Sequence, residues 1–90
     1  MVAKIILKRK EYKFEGEVYE VTAKVLMFVT EFFKEHPNAT YIMIHCNTLN
    51  TRKWEKFVRL IMKLVPNARH IKGGTKRKAK VIIPNPYRKK

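Results

Sequence analysis

Aspartate is absent from the 90 residues, so the seven glutamates are the whole acidic complement. Against them stand 21 lysines and arginines, a formal net charge of +14. A surplus of that size opposes folding by self-repulsion and implies a polyanion that neutralises it: DNA, RNA or an anionic membrane surface. Cysteine is almost missing too. Cys46 alone excludes an internal disulfide and fits a reduced, cytoplasmic setting. No long apolar run is present. The most apolar stretch, Val18 to Phe33, is broken by Glu20, Lys24 and Glu31, which excludes a transmembrane helix. The opening Met-Val-Ala-Lys-Ile-Ile-Leu-Lys is too short in apolar residues for a secretory signal.

The catalytic repertoire is equally thin. Without Asp there is no Ser-His-Asp set, and no Gly-rich phosphate loop occurs. His45 and Cys46 are adjacent in a segment that reads as a strand, so their side chains point to opposite faces and cannot serve one centre. His36 and His70 are scattered, which argues against zinc. The expectation is a protein that is not an enzyme and holds no metal or cofactor.

What is present suits one folded domain. Hydrophobic residues make up 46% of the chain, the usual globular share, and its length supports a single core. Residues 1–86 are expected to form that domain, with 87–90 as a basic tail. The charge is unevenly spread: residues 1–13 carry a net +4, 14–50 a net −3, and 51–90 a net +13.

Residues 2–7 are β-branched and read as a strand. Lys8 to Lys13 reads as a basic connection that could include a short strand through Tyr12 and Phe14. Over 17–35, Val18, Val21, Val25, Phe28, Val29 and Phe32 fall at helical spacing, with glutamates in the first turns and Pro37 as the stop. Residues 40–46 read as a buried strand. A second helix is expected over 51–65, with Trp54, Phe57, Val58, Ile61, Leu64 and Val65 inward. Residues 68–72 and 79–84 read as strands flanking the Gly73-Gly74 turn. The order β-α-β-α-β-β implies an α+β two-layer sandwich, two helices on one sheet.

Three basic groups are the candidate binding residues. Arg52, Lys56, Arg59 and Lys63 are spaced 4, 3 and 4 apart, which places them on one helical stripe opposite the apolar face. A merely solvated face would mix signs, and Glu55 is the one carboxylate here. Lys72, Lys76, Arg77, Lys78 and Lys80 surround the double glycine, where a basic hairpin would meet phosphates. Lys8, Arg9, Lys10 and Lys13 form the third group. Tyr12 beside them either stacks on a base or packs, with Phe14, against the domain.

The element order, the size, the hairpin around Gly73-Gly74 and the basic segment after the first strand together resemble the Alba family of archaeal chromatin proteins. The resemblance covers Val2 to about Pro84. It is one of architecture and charge: where the family has a Gly-Lys-Lys-Pro-type turn, this chain has Lys8-Arg9-Lys10-Glu11, and Asn47 to Lys53 replaces the family's Gly-Arg-Ala signature. It implies a homodimer with Lys76, Arg77 and Lys78 on a hairpin arm and Lys8 and Lys10 near the central body. The expected function is sequence-tolerant binding of double-stranded DNA or structured RNA; if the three groups face one way, a duplex touches several at once. The competing reading is a protein-interaction or virion-type structural module that docks an acidic partner. Membrane binding is disfavoured because the basic helix spends its apolar face on the core.

Overall fold

The computed structural model describes residues 1–46, 51–71 and 79–86. The described elements are β1 (Val2–Leu7), β2 (Lys10–Glu15), α1 (Val18–Glu35), β3 (Tyr41–Cys46), α2 (Thr51–Leu64), β4 (Arg69–Ile71) and β5 (Lys80–Pro84). The five strands form one antiparallel sheet in the order β2-β1-β3-β5-β4. Both helices cover the same side of it. This is the expected two-layer α+β sandwich. The Lys8–Lys13 connection proves to be a tight turn and a full strand, β2, whose Phe14 faces Ala3 and whose Tyr12 faces Ile5.

Each strand alternates. Ala3 and Ile5 of β1, Ile42 and Ile44 of β3, and Val81 and Ile83 of β5 are buried beneath the helices. Period-2 alternation sends the residues between them to the opposite, uncovered face. From α1 the core receives Val18, Val21, Thr22, Val25, Val29 and Phe33. Phe28 and Phe32, expected inward, are only partly buried. Phe28 instead meets the rings of Tyr12 and Phe14, with centroids at 4.8 and 5.7 Å, and Phe32 stacks on His36. The added strand β2 supplies the partners of Phe28, and Phe33 is the fully buried ring of α1.

From α2 the core receives Trp54, Phe57, Val58 and Ile61. Leu64, also expected inward, is 59% exposed. It is the last residue of the helix, where the chain turns off the sheet; Val65 and Ala68 pack on the core in its place. Gly16 joins β2 to α1 at φ +142°, a region L side chains rarely adopt, and exchanges backbone contacts with Met1.

Candidate nucleic-acid interface

Arg52, Lys56, Arg59 and Lys63 are all exposed, on the side of α2 that faces away from the sheet. At ~1.5 Å per residue the stripe runs about 16 Å from Arg52 to Lys63. Among the described residues no carboxylate pairs with any of the four; the ion pair found there joins Lys4 Nζ to Glu11 Oε1 at 3.0 Å. Lys56 Nζ lies 4.7 Å from the ring centroid of Tyr19. Tyr19 projects from the first turn of α1, 62% exposed. The stripe thus continues onto an aromatic ring of the neighbouring helix, and its cations remain available to an anion.

The second group lies mostly outside the described residues: Lys72, Lys76, Arg77 and Lys78 fall there. Lys80 is described. It sits on β5, opposite Ile71 of β4 and His45 of β3, on the uncovered face of the sheet.

The third group divides. Lys8 and Arg9 are the two turn residues between β1 and β2, both at positive φ, 48° and 69°. Lys10 and Lys8 border an open groove with Tyr12, Phe28, Phe32 and the carboxyl-bearing Glu31 and Glu35 of α1. Lys13 points to the uncovered sheet face. Tyr12 and Phe14 both pack against Phe28, with Tyr12 also bordering that groove. Among the described residues the groups lie in different places: the helix stripe occupies one layer, while Lys13 and Lys80 occupy the far side of the other. A local charge pattern does not encode which side of a sheet a residue takes; strand parity and pairing do.

No known protein family, curated protein or solved structure matches this chain. The site must be read from its own geometry, and that geometry contains a feature the charge pattern did not single out. Lys13 pairs with Lys4, Lys4 with His45, and His45 with Lys80, each directly opposite on adjacent strands. The four side chains make one row across β2, β1, β3 and β5. His45 titrates below the ordinary histidine value, first because it is partly buried and then because Lys80 and Lys4 flank it. The signal was present in the sequence: Lys4, His45 and Lys80 are each a single polar residue between two apolar ones in a β-branched run. Among the described residues no three His, Cys or Glu side chains gather as metal ligands, and no helix is long and apolar enough to cross a membrane.

Proposed function

We propose that the protein binds nucleic acid, without strong sequence preference, through the exposed face of α2. The observation that carries this reading is the stripe Arg52, Lys56, Arg59 and Lys63, without a carboxylate partner among the described residues, on a helix whose other face is committed to the core. Such a stripe gains nothing from intramolecular ion pairs and repels itself, and phosphates relieve both costs. Each Lys or Arg placed on a phosphate releases condensed counterions, so affinity comes largely from charge and falls steeply with salt. Tyr19, held against Lys56, adds a flat ring beside the stripe.

The experiment is a salt series of duplex binding by wild type and by Arg59→Ala. Removing one phosphate contact lowers the log–log salt slope by about 0.9 on B-form DNA and weakens all sequences alike. An unchanged slope removes α2 from the interface. Absence of binding to any duplex or single strand at low salt, together with pull-down of an acidic protein dependent on Arg59, transfers the stripe to the protein-docking reading.

A further inference from the structure

We infer that the uncovered face of the sheet is a docking site for single-stranded nucleic acid, with phosphates along the Lys13–Lys4–His45–Lys80 row and bases against the apolar side chains beside it. The inference rests on the nucleic-acid reading above and adds to it a second face with a different ligand form.

The cross-strand pairing is the first argument. Lys4 stands directly opposite Lys13, and His45 directly opposite both Lys4 and Lys80. Opposed like charges on one face of an antiparallel pair weaken a sheet, because their Cβ atoms are only ~5 Å apart. Glu11 relieves Lys4 alone, at 3.0 Å. Strands spaced ~4.8 Å apart spread the row over about 14 Å from Lys13 to Lys80. Three lysines in line with a histidine whose protonation the lysines oppose, two of the lysines directly opposed, form a row that an extended polyanion would neutralise.

The second argument selects the form of that polyanion. The adjoining row of the same face is apolar at its centre, Ile6, Met43 and Ile82, between Glu11 on β2 and Arg69 on β4, with Tyr41 beyond it. Ile6 is 45% and Tyr41 51% exposed, and no element of the described fold covers them. A duplex offers a surface of phosphates and sugars and keeps the apolar faces of its bases stacked inside, so it would leave this row wet. An unpaired strand offers charge on one side and apolar base faces on the other, which matches a cationic row beside an apolar one. Tyr41 supplies the aromatic plane on which a base stacks.

The test compares two double variants on two ligands by fluorescence anisotropy over a salt series: a short unstructured oligonucleotide, and a duplex of the same length. Lys13→Ala/Lys80→Ala removes two contacts from the row and relieves repulsion, so the domain stays folded, as near-ultraviolet circular dichroism will register. The single-strand slope then falls by about 1.4, at ~0.7 per contact, and the duplex slope does not change. Arg59→Ala/Lys63→Ala does the reverse. Tyr41→Ala lowers single-strand affinity about tenfold and leaves duplex affinity as it was. If the sheet variants alter neither ligand while the helix variants alter both, the sheet face is not a binding site and the function proposed for α2 stands. If the sheet variants weaken both ligands equally, the selectivity for unpaired strands is overturned. If wild type binds phosphatidylserine vesicles through Lys13 and Lys80 and binds no oligonucleotide, both readings fall.

Discussion

The indole Nε1 of Trp54 donates a hydrogen bond to Nε2 of His70 at 3.3 Å, with the ring centroids 6.2 Å apart. The bond ties α2 to the edge strand β4, which is only three residues long. It requires His70 to be neutral with its proton on Nδ1. Trp54 also stacks on Phe57 at 5.3 Å and is 3% exposed. Trp54→Ala therefore removes a core aromatic as well as this tie and is expected to cost ~3–5 kcal/mol. Trp54→Phe keeps most of the packing and loses the donor, at a cost nearer ~1 kcal/mol. Urea unfolding of both variants checks the ranking; equal losses would show that the ring packing Trp54→Phe retains adds nothing beyond the hydrogen bond both variants lose.

His45 makes stability depend on pH. Its folded value is lowered by burial and by Lys80 and Lys4, so the unfolded chain takes up the proton more readily. Stability is then full above the ordinary histidine value near 6.5 and declines as pH falls below it. His45→Gln should flatten that part of the profile, measured as thermal midpoint against pH. A nucleic-acid phosphate on the row opposes Lys4 and Lys80 and favours the protonated ring. Adding the single strand should therefore move the His45 titration, followed by its ring proton resonances, upward.

The β1–β2 turn carries lysine and arginine where φ is positive at both positions, 48° and 69°. Two-residue turns of this kind favour Asn-Gly, and a side chain with a full Cβ in this region costs ~1–2 kcal/mol. Lys8→Asn/Arg9→Gly should thus stabilise the domain by about 1 kcal/mol, raising the midpoint by roughly 4–8 °C. Differential scanning calorimetry checks it. No gain would mean that the turn residues are held by contacts that repay their backbone conformation.

Asn85 is 8% exposed and donates from Nδ2 to the carbonyls of Pro37 and Ala39, at 3.1 and 2.8 Å. Its own backbone N–H reaches Thr40 at 3.0 Å. The residue clamps the end of β5 to the α1–β3 connection. Asn85→Ala leaves two carbonyls short of a donor, and a loss of about 2 kcal/mol is expected in denaturant unfolding. Asn85→Asp should lose at least as much, since its oxygens cannot donate.

These residues show what local pattern reveals and what it omits. The helices were legible because Val18, Val21, Val25 and Val29, like Trp54, Phe57 and Ile61, repeat at the helical period. The alternation through Tyr12 and Phe14 was enough to suspect β2. Phe28 and Leu64 were misplaced because period alone cannot say which neighbours a residue meets or where a helix overruns its sheet. Asn85 lies between two prolines with no periodic signal, and its clamp spans chain segments far apart in sequence. The basic groups were legible as charge. Their division between two layers was not, because it follows from the pairing of β1 with β3 and of β3 with β5, which no short window of sequence contains.

The two-layer stack places the cations of α2 and those of the sheet row back to back, through a body whose shorter dimensions are both 26 Å. Strand and duplex, held on opposite sides, would not compete for the same groups. On the reading proposed here one copy is already bivalent, able to cross-link two segments without a second protomer. Such a linker compacts nucleic acid most effectively near charge equivalence. In excess it loses that ability, because every segment is then coated by its own copies and none is shared.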